Sequence, residues 1–263
     1  MVQSSLAGAN SACLHRQCAV SLQNAFVGHI SFGMRWKDVW NFSIVLAMFS
    51  AVSLLCHGQE KKPVVAGLPG QLVWQNAPLS WESPAPAEKA GNSLSITAGE
   101  KTDLFISPFG DGKTDASPRL LFVPADDFVF SARVTVGFRS TWDAGALVVY
   151  AGEEQWAKLC LEKTVDGHVA IISVVTNGTS DDSTHFAVEG DSVYLQIAKA
   201  GQAIFLYASS DGEKWNVVRA FSFGRVAGLR AGFSAQAPTG DRCSATFTRI
   251  RYEARKIDLF AGK

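Results

Sequence analysis

A chain of 263 residues that is 47% hydrophobic and 18% charged carries enough apolar side chains for one large core or two small ones. With 24 basic and 24 acidic residues it lacks the positive excess of a nucleic-acid-binding protein, and 23 Gly and 9 Pro are too few for collagen-like or low-complexity sequence.

The first recognisable element stands apart from any fold. Residues 42–55 (FSIVLAMFSAVSLL) form an apolar run, preceded by Arg35 and Lys37 and followed by the polar CHGQEKK that begins at Cys56. A basic flank, a short apolar stretch and a polar exit make a signal peptide. A membrane-spanning helix needs about 17 to 25 apolar residues, more than this run supplies. Cys56 and Gly58 are the small residues that a signal peptidase reads, which puts cleavage after Gly58 and the product in a periplasmic or extracellular compartment, with no stable membrane span. Lipidation at Cys56 is the alternative, but Ser53-Leu54-Leu55 puts a bulky Leu where such sites want Gly, Ala or Ser. Loss of 1–58 removes Arg16, Arg35, Lys37 and Asp38, leaving 21 basic and 23 acidic residues, a net of −2. Of the five cysteines, only Cys160 and Cys243 lie beyond the leader, either as a disulfide or as two small buried hydrophobes.

Residues 59–69 read as a linker, 70–255 as one domain and 256–263 as a tail. Through DDFVFSARVTVGF, residues Phe128, Phe130, Ala132, Val134, Val136 and Phe138 recur at every second position, the period of a strand with one buried face. Similar runs follow in GALVVYA, QWAKLCLEKT, HVAIISVVT, SVYLQIA, AIFLYAS, WNVVRAFSF, LRAGFSA and CSATFTRIRY. Asp111-Gly112, Asp166-Gly167, Asn177-Gly178 and Asp211-Gly212 punctuate them as hairpin turns. No helical stripe of three turns occurs after Glu60. Many short strands at this spacing predict an all-β sandwich of two antiparallel sheets, with a jelly roll the version that suits over ten strands.

The ordered segments TDLFISP (102–108), DDFVF (126–130), WDAGALVVY (142–150), QWAKLCLEK (155–163), SVVTNGTSDDS (173–183), GLRAGFSAQAP (228–238) and ATF (245–247) resemble the concanavalin A-like family of regulation-of-enolase-like domains, a family of unknown function. The resemblance covers about 70–255 and implies a two-sheet jelly roll of the lectin and glucanase type. The sequence departs from the family pattern at Asp182-Ser183, where Trp and Ser usually follow the Ser-Asp pair, and at Ala144, where Gln often stands.

Alternation along 155–164 sends Ala157, Leu159 and Leu161 to the core and Trp156, Lys158, Cys160 and Glu162 to the opposite face. The resemblance implies that this second row faces the concave side, where such folds hold sugars. An aromatic platform with a Lys and a carboxylate suits a saccharide, whose ring stacks its C–H face and whose hydroxyls need hydrogen bonds. Asp143, Ser180 and Asp181 are candidate rim residues. The plainer alternative makes Lys158 and Glu162 a surface cross-strand pair, and Asp143, Ser180 and Asp181 turn builders.

The expected function is therefore non-catalytic carbohydrate binding by a secreted domain. Glycoside hydrolysis needs two carboxyls, and the Glu-x-Asp-x-Glu type of strand is absent. A hydrolase would have to combine Glu162 with Asp143 or Asp181 from a neighbouring strand. A protein-interaction module is a further alternative, marked by an exposed apolar patch. His168 and His185 show no metal-ligand spacing, and no P-loop, dinucleotide or Gly-x-Ser-x-Gly pattern occurs, so neither a metal nor a cofactor is expected.

Overall fold

The computed structural model describes residues 63, 65–83, 92–260 and 262, so the leader with its apolar run 42–55 lies outside the described residues. Strands are the only regular elements among the described residues, and all their pairings are antiparallel.

One sheet runs β1 (Val73–Gln75), β6 (Arg119–Phe122), β15 (Arg230–Gln236), β8 (Ala144–Gly152), β9 (Gln155–Lys163), β10 (Val169–Asn177) and β11 (Thr179–Ala187). The other runs β14 (Asn216–Ser222), β13 (Ala203–Ser209), β12 (Ser192–Ala200), β7 (Phe128–Gly137), β16 (Arg242–Glu253), β3 (Leu94–Gly99) and β2 (Ser80–Glu82). A separate hairpin joins β4 (Leu104–Ile106) to β5 (Lys113–Asp115). Hairpins keep the chain within one sheet from β8 to β11 and from β12 to β14. From β7 onward it changes sheets between β7 and β8, between β11 and β12, and twice more around β15. This is the jelly-roll sandwich that the strand pattern predicts. Three of the four Asx-Gly pairs supply left-handed glycines, Gly167, Gly178 and Gly212; in the β4–β5 turn that role falls to Gly110 instead of Gly112.

The inward rows of both sheets form one core. Ala157, Leu159 and Leu161 of β9 join Phe130 and Val134 of β7, Ile197 of β12, Phe233 of β15 and Phe247 of β16. Phe130 lies 5.1 Å from both Phe122 and Phe233, and Phe233 lies 4.9 Å from Phe247, in edge or tilted geometries. Each such ring contributes about 1.5–3 kcal/mol through burial, and the pairings add to that.

The outer face of the first sheet is also covered, which hides the alternation of β9. Leu104, Phe105 and Ile106 of the hairpin pack with Leu121, Val148, Tyr150, Trp156, Cys160 and Val174, so β9 is buried from Trp156 to Glu162. The second sheet is capped by the tail, where Ile257 and Leu259 pack on Phe205 and Tyr207, whose Oη donates to the Leu259 carbonyl. Within the segment read as a linker, Val65 is buried and joins the core. Cys160 and Cys243 are both buried and unbonded, as small hydrophobes on different layers.

Candidate functional site

A cavity of about 240 Å³ opens on the outer face of the first sheet, between Asp103, Phe105, Trp142, Lys158, Glu162, Val174, Asp182 and Gln236. Antiparallel register builds its floor. Lys158 on β9 stands opposite Val174 on β10, which stands opposite Asp182 on β11. Glu162 stands opposite Ala144 on β8, which stands opposite Gln236 on β15.

Two loops form the walls. Asp103 is held beside the Thr102–Ala237 bridge, where Thr102 Oγ1 accepts from the Ala237 N–H at 3.0 Å and the Asp103 carbonyl accepts from Ala116 and Ser117 at 2.9 Å. Trp142 adopts a left-handed φ of 65°, uncommon for a bulky residue, fixed by its N–H donating to the Lys163 carbonyl at 2.7 Å. Its side chain is left at the surface, with the residue 43% exposed.

A continuous hydrogen-bond network lies beneath these walls. Lys158 Nζ donates to Asp103 Oδ1 and to Gln236 Oε1, both at 2.8 Å, while Gln236 Nε2 donates to the Trp142 carbonyl at 3.0 Å and to Glu162 Oε2 at 3.4 Å. The amide of Gln236 is thereby fixed in one orientation. Burial pulls Lys158 towards neutrality, but Asp103, Cys160 and Glu162 outweigh it and raise its pKa, so it stays charged. Burial pushes Glu162 up to about 8; Lys158 opposes the rise, while Asp182 and Asp103 add to it. Asp182 is raised by burial too, again with Lys158 opposing and Asp103 adding. At neutral pH the site holds a Lys158–Asp103 ion pair beside a protonated Glu162.

Of the six residues expected at the site, Lys158 and Glu162 line the cavity, and the other four are placed differently. Trp156 is fully buried between Tyr150 and Thr176 of the flanking strands, under the β4–β5 hairpin, so it offers no ring face to a ligand. Asp143 is also fully buried, and its Oδ2 accepts from the Arg139 and Ser140 N–H groups at 2.8 Å each, holding the loop that precedes β8. Ser180 accepts from the Ile106 N–H at 2.9 Å and shares a 2.8 Å hydrogen bond with Thr176, pinning the hairpin to the sheet. Asp181 points away from the cavity and pairs with Arg219 of β14 at 2.6 Å, joining the edge strands of the two sheets.

The carboxylates that accompany Glu162 are thus Asp103 and Asp182, not Asp143 and Asp181. Asp182 sits where the sequence departs from the family pattern. Two cavities elsewhere, of about 310 and 360 Å³, are lined by mixed polar and apolar residues, and every charged side chain among them is exposed.

Fold and site together define a concanavalin A-like jelly-roll sandwich with a buried charged network under one open cavity. The chain belongs to the family described as "Protein of unknown function (DUF1349)", whose model matches residues 74–255. It is 30% identical over 156 residues to Regulation of enolase protein 1 of Saccharomyces cerevisiae, covering 58% of this chain and 74% of that protein. A functionally unknown protein from Saccharomyces cerevisiae superposes with a TM-score of 0.63 at 26% identity, over 70% of this chain and 96% of that one. A GH43 glycoside hydrolase with an engineered active site, displaying endo-xylanase and exo-arabinofuranosidase activity, superposes with a TM-score of 0.52 at 12% identity. This chain covers 40% of that enzyme, and the likeness is one of fold alone.

Proposed function

We propose that the protein binds carbohydrate without catalysis, in the cavity between Trp142 and the Lys158–Gln236–Glu162 network. The observation that carries this reading is the pairing of an accessible indole with buried, oriented polar groups: Trp142 is 43% exposed at the mouth, and Lys158 and Glu162 are 3% and 7% exposed below it. A sugar ring places its C–H face on an aromatic and its hydroxyls on donors and acceptors held in fixed positions. A glycan array probed with the full chain tests the reading, with Trp142→Ala as control. Binding of a glycan class that weakens in Trp142→Ala is expected. Silence across the array at millimolar ligand, or binding indifferent to Trp142→Ala, would overturn it.

Glycoside hydrolysis is favoured by one arrangement: Glu162 and Asp182 line the same cavity, and burial pushes the Glu162 carboxyl up to about 8, as suits a general acid beside a second carboxyl. Release of reducing sugar from an array-positive glycan, lost in Glu162→Gln, would replace the binding reading with this one. Export is part of the proposal and rests on the 42–55 sequence pattern. Mass spectrometry of the protein recovered outside the cytoplasm should find Gln59 at its N-terminus, and an intact Met1 there would refute it.

A further inference from the structure

The charge that a ligand would meet in this cavity is one-sided. Two of the three Lys158 donors are taken, by Asp103 Oδ1 and Gln236 Oε1 each at 2.8 Å, and its side chain is only 4% exposed. Two more carboxyl groups face the same space, and neither Glu162 nor Asp182 has an ion-pair partner among the described residues. Glu162 is 7% exposed, yet its one hydrogen bond among the described residues is the 3.4 Å contact from Gln236 to Oε2. Its Oε1, in a side chain that lines the cavity, receives none. That oxygen is open to the cavity, so a ligand can exchange a hydrogen bond with it.

The remaining walls are aromatic. Trp142 and the half-buried Phe105 present ring surface to the same space. Aromatic faces attract cations, and an ammonium supplies three donors and no acceptor, matching carboxyl oxygens better than a hydroxyl does. Asp182 lies at the accessible end of the row Lys158–Val174–Asp182, where a charged group could reach it without full desolvation.

From this arrangement we propose that the cavity takes a saccharide bearing a protonated amine, its ammonium directed at Asp182 and its ring against Trp142. The inference rests on the carbohydrate reading above and narrows it to amino sugars. Acetylation of the amine would remove both the charge and two donors, so the acetylated sugar is excluded by the same contacts.

Calorimetric titration of the full chain with β-1,4-linked glucosamine, glucose and N-acetylglucosamine oligomers of equal length, at a pH that keeps the amine charged, separates the two claims. The glucosamine oligomer should bind at least about fivefold more tightly than the other two, the scale of one partly exposed ion pair, and weaken as salt is raised. Asp182→Asn, at a surface position that no ion pair holds, should bring glucosamine down to the level of glucose measured on the same variant. Equal binding of all three oligomers, or a preference for glucosamine that survives both salt and Asp182→Asn, overturns the amine inference and leaves carbohydrate binding standing. No binding of any oligomer, together with a silent glycan array, overturns carbohydrate binding itself.

Discussion

Lys158 Nζ lies 2.8 Å from Asp103 Oδ1, joining the middle of β9 to the loop that precedes β4, 55 residues earlier in the chain. The pair fixes the wall of the cavity to its floor. Because Lys158 is 3% exposed, Asp103→Asn leaves a buried ammonium with no ion-pair partner. Breaking such a pair costs about 3–5 kcal/mol, and the 22% exposure of the Asp103 side chain puts this one near the lower end. Urea unfolding should show that loss in Asp103→Asn and a recovery of more than half of it in Asp103→Asn/Lys158→Met. A single variant as stable as the parent would mean that water already neutralises Lys158.

The pH dependence of Glu162 has a definite sign. Its pKa rises from 4.5 to about 8 on folding, so between those values the folded protein holds a proton that the unfolded chain releases. Stability therefore falls as pH rises through that window, by up to about 1.4 kcal/mol per unit, and levels off above it. Burial is the main cause of the rise; Lys158 tempers it, while Asp182 and Asp103 enlarge it. Glu162→Gln removes the titration and keeps an oxygen to accept from Gln236. Thermal melts should find the variant gaining on the parent steadily from about pH 5 to 8 and running parallel to it above pH 8. A constant difference across that range would show that Glu162 titrates normally.

The close approach of the two sheets can be tested at Gly145 of β8. A Cβ there would lie 2.7 Å from Ala245 Cβ, 2.9 Å from Val134 Cγ1 and 3.0 Å from Val136 Cγ2, across the sandwich. Three β-carbon and γ-methyl neighbours on β7 and β16 cannot swing aside as a long side chain would. Gly145→Ala should lower stability by about 1–3 kcal/mol through overpacking, visible as a lower urea midpoint with unchanged slope. An unaffected midpoint would place the sheets further apart at this point.

The fold was legible because the core depends on alternation, which sequence displays directly: Phe128, Phe130, Ala132, Val134 and Val136 are all buried on β7. Alternation likewise put Lys158 and Glu162 on the correct face of β9. It specifies a face but not a depth, and so Trp156 read as an open platform although the β4–β5 hairpin buries it. Nor does it say which strands are neighbours. Asp182 and Gln236 reach the cavity through the registers of β10–β11 and β8–β15, and Asp103 and Trp142 come from loops. The Asp143 carboxylate, apt for a rim on paper, is buried instead, with Oδ2 accepting from two backbone N–H groups of its own loop, a local bond that Asp forms in turns as readily as it binds ligands.

The two cysteines yield the last prediction. Cys160 lies on the outer face of β9 beneath the hairpin, and Cys243 lies in the core between the sheets, with its Sγ 3.9 Å from the Ala144 carbonyl. Neither is bonded, and the sheet separates them. Burial raises Cys160 well above the ordinary thiol value, with Lys158 opposing, and pushes Cys243 up to about 12, with Asp143 adding to the rise. The thiolate is the reactive form, so both groups should resist a water-soluble disulfide reagent while the protein is folded. The described domain should therefore keep both thiols even in an oxidising compartment, where an exposed pair would be driven to a disulfide. Thiol titration of protein recovered from outside the cytoplasm should count none under native conditions and two in denaturant, with Cys160→Ser and Cys243→Ser each removing one. A Cys160–Cys243 crosslink in a non-reducing digest, or a thiol that reacts at once in the folded protein, would contradict the burial that underlies this expectation.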